Sequence, residues 1–190
     1  MHPLLKVALT LVAGTVLGLG LTWFTVVRGV LPGGVADGPW RTNLSIGSNQ
    51  GGMAVRASVA LHGLLALNRG ETLYYTAATD DSGAALDGAC TYRVAGRDPD
   101  ARWWSITAYG PDDYLIPDAG HHYSVSKTSV APNAAGLFSA MVSPAPADTG
   151  WIAVKPGRFS LTLRLYNPGP RTAADPAHAA LPSIEKRACR

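Results

Sequence analysis

The side chains able to do chemistry are few and scattered. His121 and His122 are adjacent, and successive side chains of an extended chain point to opposite faces, so the pair cannot chelate one ion without a bulge. Solvated histidines at a strand edge are the simpler reading. Asp80, Asp81 and Asp87 surround a Ser82-Gly83 turn, and Asp112, Asp113 and Asp118 flank a second loop. Calcium takes several oxygens from a flexible loop, but aspartate beside glycine is also ordinary turn chemistry that needs no ion, and that reading is preferred. Ser58 and His62 stand one helical turn apart and can touch. With no carboxylate nearby in sequence to orient its imidazole, His62 reads as a core or surface histidine rather than a base. No GxSxG elbow, HExxH, P-loop or dinucleotide glycine pattern occurs. No catalytic residue, metal ligand or cofactor is therefore assigned.

The elements that position the remaining candidates are two strands. In 101–118, Trp104, Ile106 and Ala108 fall on one side of an extended chain, and Trp103, Ser105, Thr107 and Tyr109 on the other. In 158–168, Phe159, Leu161, Leu163 and Leu165 alternate with Ser160, Thr162, Arg164 and Tyr166. A period of two is what a sheet with one face on a core requires. The second face then offers Trp103, Tyr109, Arg164 and Tyr166, which is unusually apolar for a surface that meets only water. Three readings compete for it: coverage by the chain's own helix, a partner protein, or a groove for a small organic ligand or glycan. These four residues are the candidate ligand-binding set.

Around those strands the chain reads as mainly β. Its 190 residues, 47% hydrophobic and 15% charged, suffice for one core. The formal charge of +3 is spread over scattered arginines with no dense basic run, which argues against nucleic-acid binding. Twenty-one glycines and fourteen prolines suit short strands and tight turns. A helical period over 53–68 places Ala54, Ala57, Leu61, Leu64 and Leu65 on an apolar stripe, with Ser48 or Asn49 as the candidate cap. From residue 71 onward about eight short strands follow, including YLIP at 114–117.

The amino-terminal stretch 7–27 is apolar, uncharged and bounded by Lys6 and Arg28, close to the ~20 residues a membrane-crossing helix needs. A cleaved signal peptide competes, with Gly34-Val35-Ala36 as its small-x-small site, but that site lies beyond the run, so an uncleaved anchor is preferred. Gly14 and Gly18 form a GxxxG, a pattern that can pair helices but is commonly bland. The two cysteines, Cys90 and Cys189, either bond or stand apart as a buried thiol and one at a loose end, and spacing alone does not choose. A bond would close a loop of about 100 residues, valued at about 4–5 kcal/mol in the chain-entropy model, and would set the domain on the oxidising side of a membrane.

The succession GLLALNRGETLYYTAATDDSG, LDGACTYRV, ARWWSITAYGPDDYLIPD, HHYSVS, WIAVKPGRFSLTLRLYNP and LPSIEKRAC over 40–189 resembles the bacterial family called domain of unknown function 1214, in its short membrane-anchored branch. The resemblance implies a β-sandwich of jelly-roll type and a Cys90–Cys189 disulfide, and brings no established activity. Where the family often has Asn-Trp-Leu-Pro, this chain has Gly150-Trp151-Ile152-Ala153.

The expectation is a membrane anchor over 1–28, a linker over 29–39, and an antiparallel, jelly-roll-like β-sandwich with one packed α-helix over 40–190. The protein would sit in a bacterial inner membrane through residues 7–27, its carboxy-terminal domain in the periplasm. It would act as a non-catalytic binding or accessory module, partnered by an envelope protein or a small-molecule ligand. The alternative is a hydrolase or isomerase acting on a small apolar or sugar-like molecule in the sandwich mouth.

Overall fold

The structure, a computed structural model, describes residues 3–27, 34–48, 51–62, 66–118, 120–147 and 150–189. Alternation of the kind seen in LTLRL, repeated along the chain, builds two sheets. The larger has the order β1-β2-β3-β9-β5-β6, formed by β1 (Gly34–Asp37), β2 (Trp40–Asn43), β3 (Thr72–Ala77), β9 (Ser160–Pro168), β5 (Ala101–Tyr109) and β6 (Ser124–Ser126). The smaller runs β10-β4-β7-β8, from β10 (Ser183–Cys189), β4 (Cys90–Arg97), β7 (Leu137–Ser143) and β8 (Trp151–Ala153). Every pairing is antiparallel except β7 with β8. Three α-helices, α1 (Pro3–Val27), α2 (Met53–Leu61) and α3 (Pro170–Ala174), and a short 3-10 helix at Pro176–His178 complete the described elements.

The two sheets share one core. Trp40, Leu73, Tyr75, Trp104, Ile106, Leu161, Leu163 and Leu165 come from the larger sheet and meet Tyr92, Val94, Phe138, Ala140, Val142, Ile152 and Ile184 from the smaller. The rings of Trp104 and Phe138 join the layers with centroids 4.4 Å apart. Two buried indoles bring a polar N–H inward, and each finds an acceptor: Trp40 Nε1 donates to the Pro182 carbonyl at 2.7 Å and Trp104 Nε1 to Asp98 Oδ1 at 2.8 Å. Unpaired, each would cost about 1–3 kcal/mol.

Several expectations change on contact with the structure. The helix expected over 53–68 ends at Leu61, while residues 66–68 are not helical, and Leu64 and Leu65 lie outside the described residues. Its stripe also faces the other way: Ala57 and Leu61 are exposed, and Val55, Ser58, Val59 and His62 turn inward. Ser48 donates to the Ser45 carbonyl instead of capping, and Gly52 holds the N-cap position. YLIP makes only an isolated bridge between Leu115 and Tyr109, because the 110–115 turn is too tight to let a strand run on. The stretch expected as a linker contributes β1, and the tail expected to fray without a bond becomes β10, paired to β4 along its length.

Cys90 and Cys189 are partners in that β4–β10 register, their sulfurs 1.99 Å apart, at disulfide distance. Gly150, with φ of 57°, lies in the left-handed region that Gly and Asn enter most readily, and a Cβ there would come within 2.3 Å of Val130. At Ala153, where the resembling family often has proline, the backbone N–H donates to the His122 carbonyl at 2.8 Å, a bond proline could not make.

The amino-terminal helix is long and apolar enough to cross a membrane, with mean hydropathy 2.0 over Pro3–Val26. It meets the rest of the chain at α2. The contact is at its carboxy-terminal end, where Val26 is buried while the side chains through Phe24 stay exposed.

Candidate functional site

The outer face of the larger sheet is where polar side chains converge. With Leu161, Leu163 and Leu165 committed to the core, the pleat of β9 must project Ser160, Thr162, Arg164 and Tyr166 outward. By the same rule β5 presents Trp103, Ser105, Thr107 and Tyr109, and β3 presents Thr72, Tyr74 and Thr76. The β5–β9 register sets Trp103 opposite Tyr166, Ser105 opposite Arg164, and Thr107 opposite Thr162. All four residues of the candidate set therefore lie on this face.

They form two groups. Trp103 and Tyr166 pack their rings together, centroids 5.2 Å apart at 55°. Arg164 and Tyr109 make the second group: Arg164 Nη2 donates to Tyr109 Oη at 2.8 Å and Nη1 to Thr107 Oγ1 at 3.3 Å. The guanidinium also lies 5.5 Å from the Tyr109 ring centroid and 6.0 Å from that of Tyr74, within cation–π range. The second group borders a cleft. That cleft, of about 140 Å³, is lined by His62, Thr76, Tyr109, Asp113, Ser160, Thr162 and Arg164. A single water needs roughly 10–15 Å³ on this measure, so the space suits a small organic molecule. Trp103 and Tyr166 are absent from the lining.

His62 enters from above. It follows the last turn of α2, whose inward face carries Ser58 and His62 over the sheet, and it borders both this cleft and a neighbouring one of about 410 Å³ that reaches Arg41, Asn43 and Tyr74. His62 Nδ1 lies 2.7 Å from the Ser58 carbonyl oxygen. A carbonyl can only accept, so Nδ1 carries the proton and Nε2 is left toward the cleft. There it faces Asp113 Oδ2 at 4.0 Å. Asp113 is held in the left-handed region, φ 63°, in the turn closed by Gly110 and Tyr114. Arg164 has no carboxylate at ion-pair distance among the described residues; its partners are hydroxyls and ring faces.

The other chemistry-bearing residues are engaged elsewhere. His121 and His122 lie in the loop before β6, not in a strand. His121 Nδ1 is 3.0 Å from Tyr123 Oη, and His122 Nδ1 is 2.9 Å from Asp118 Oδ2. Among the described residues no group of three histidines, cysteines or acids could hold a metal. The aspartates serve turns: Asp80 Oδ1 accepts from Ser82 and Ala84 N–H groups, and Asp87 Oδ1 from those of Ala89 and Gly157. Hydrogen bonds from the Ser82 hydroxyl and these backbone groups, with Lys186 nearby, hold the Asp80 carboxyl below its ordinary range in spite of burial. The Ala89 and Gly157 N–H groups do the same for Asp87. At Asp118 the cause is the backbone N–H of His122, then its imidazole.

What the strand pattern alone missed is the company Arg164 keeps. Thr162 and Ser160 were legible as its neighbours on the outward face. Thr76, His62 and Asp113 reach the cleft from three distant segments, and no local pattern joins them.

Comparison with known proteins adds a family and a fold. The family described as "Protein of unknown function (DUF1214)" matches residues 71–170, which span every strand of the cleft floor. No curated protein matches. Among solved structures, the VPA0106 protein of Vibrio parahaemolyticus is similar with a TM-score of 0.60 and 20% identity, over 71% of this chain and 35% of that one. An uncharacterized protein of Burkholderia cenocepacia is similar with a TM-score of 0.46 and 17% identity, over 89% of this chain and 39% of that one. This chain thus corresponds to well under half the length of either structure.

Proposed function

The chain belongs to the family of proteins of unknown function termed DUF1214, and from that premise we propose that it is a membrane-anchored binding module. Its ligand is a small carboxylate-bearing molecule held between α2 and the outer face of the larger sheet. The observation that carries this reading is Arg164, a half-buried guanidinium bordering a cleft with hydroxyl partners and no carboxylate at ion-pair distance among the described residues. A cation in that setting is only partly compensated, and a planar carboxylate matches its donor geometry. Tyr109, Tyr74 and Thr107 fix its orientation in advance, which lowers the ordering cost of binding. Asp113 and His62 border the same cleft and suit a hydroxyl or ammonium group on the same ligand.

Anchoring is part of the proposal. The apolar helix over Pro3–Val26 supports a single pass. The Cys90–Cys189 pair supports a domain on the oxidising side, that is, the periplasmic face of a bacterial inner membrane. A periplasm-dependent reporter fused after Arg190 should be active, and a silent one would refute this orientation. Binding is tested by thermal shift of the detergent-extracted full chain against a panel of small carboxylates and of neutral sugars of similar size. A carboxylate should raise the melting temperature of the native protein and leave Arg164→Met unmoved. Stabilisation by neutral sugars alone, or equal stabilisation of both proteins, would overturn the reading.

One observation favours a second reading, a hydrolase or isomerase. His62 has Nδ1 engaged by a carbonyl and Nε2 turned to a cleft that also holds Ser160 and Asp113, the disposition a general base needs. Turnover of any carboxylate ester that is lost in His62→Gln, with binding retained, would decide for it.

A further inference from the structure

Helix α2 is amphipathic in the wrong sense for a helix that faces water. Its inward side carries Val55, Ser58, Val59 and the following His62, and so places His62 on the cleft and Ser58 with His62 on its larger neighbour. Its outward side carries Met53, Arg56, Ala57, Ala60 and Leu61, all exposed, with Met53 at 89% and Leu61 at 64%. A surface helix normally turns its charged residues out and its large apolar ones in. Here the outward face is apolar apart from one arginine, and the helix contains no acidic residue.

Two further observations say what lies against that face. The carboxy-terminal end of α1 packs on α2, so α2 lies beside the point at which the apolar helix ends. Trp23 and Phe24, 57% and 49% exposed, sit at that same end, and aromatic side chains of this kind concentrate where a membrane span reaches the headgroups.

We propose that the outward face of α2 lies in the headgroup region of the bilayer that α1 crosses, with Met53, Ala57 and Leu61 immersed and Arg56 on anionic lipid. This rests on the anchoring proposed above. An interfacial helix of this sort gains from apolar area together with attraction of its basic residues to acidic headgroups. It also fixes the domain's tilt on the membrane, because α2 is attached to the bilayer by one face and roofs the cleft with the other.

The test uses the full chain in vesicles of phosphatidylcholine and phosphatidylglycerol, with a nitroxide on the lipid acyl chain close to the carbonyl. The two native cysteines are bonded to each other, so an environment-sensitive fluorophore can be placed on an introduced thiol in Leu61→Cys or Met53→Cys. Leu137→Cys, on the smaller sheet and 45% exposed, serves as the remote control, and Leu17→Cys reports the span. Labels at 53 and 61 should shift to the blue and be quenched several-fold more by the lipid nitroxide than the label at 137. If 53 and 61 behave like 137 while 17 is quenched by lipid, the anchor stands and the docking of α2 is overturned. If 17 also escapes the lipid, anchoring fails and this inference with it.

Discussion

The two sheets of this protein treat their outer faces differently. On the smaller sheet β4 alternates cleanly, with Tyr92 and Val94 buried and Thr91, Arg93 and Ala95 partly open, as expected where one face is core and the other is wet. On the larger sheet the outward-pointing Thr72, Tyr74, Ser105, Thr107 and Thr162 are buried as well. A sheet that hides polar side chains on its second face has committed that face to something other than solvent. Arg164, the rings around it and α2 do the covering, and the cleft is the space they leave. The contrast suggests different work for the two layers on the reading proposed above: the smaller sheet fastens the fold through β10 and its cysteine pair, and the larger one carries the candidate site.

If that division holds, damage to the fastening and to the shared core should be large and should not be specific to ligand. Cys189→Ser releases a loop closed across 99 residues, and the expected loss is about 4–5 kcal/mol of stability, read as a melting temperature below that of the native chain without reductant, with no further drop in the variant when reductant is added. Leu163→Ala, fully buried between the sheets, should cost about 2–5 kcal/mol, measured by denaturant unfolding. A Leu163→Ala variant of near-native stability would show that the layers are not packed as described.

Titration separates the regions more finely. Burial, with Asp37 and Asp175 nearby, pushes the Tyr75 hydroxyl up to about 12, and the protonated form donates to the Pro176 carbonyl at 2.8 Å. A raised folded-state value means stability that is intact below the unfolded value near 10 and lost as pH climbs from there through about 12. Tyr75→Phe should flatten that alkaline limb. At the acid end, the backbone N–H of Thr172, aided by Arg171, holds the Asp100 carboxyl below its ordinary range. A depressed value contributes stability above the unfolded pKa of about 4 that disappears as pH falls through the folded one. Asp100→Asn should therefore weaken the protein near neutrality more than in acid, where native and variant curves converge.

The smallest expected effect on stability is the most telling for function. Arg164→Met keeps an apolar stem and removes the charge, so unfolding should move by about 1 kcal/mol or less while carboxylate binding disappears.

Much of this architecture could be read from the chain. Strands β5 and β9 follow from strict alternation, and that alternation also put Trp103, Tyr109, Arg164 and Tyr166 on one face. The grouping within that face was not legible, because it depends on register: Tyr109 reaches Arg164 across the β5–β9 pair, whereas Trp103 closes on Tyr166. The orientation of α2 was misread for a physical reason. Placing Ala57 and Leu61 inward presumes water outside, whereas on the docking proposed above that side of α2 meets the bilayer. His62 and Asp113 meet only through tertiary folding, 51 positions apart in sequence, so neither could be seen as a partner of the other.

The account stands most directly on what the two faces hold. Native mass spectrometry of the detergent-extracted full chain, beside Arg164→Met and the smaller-sheet variant Arg93→Met, measures this in one comparison. A small anionic adduct retained by the native chain and by Arg93→Met but missing from Arg164→Met is the predicted result. An adduct of equal abundance on all three, or one lost from Arg93→Met instead, would contradict it.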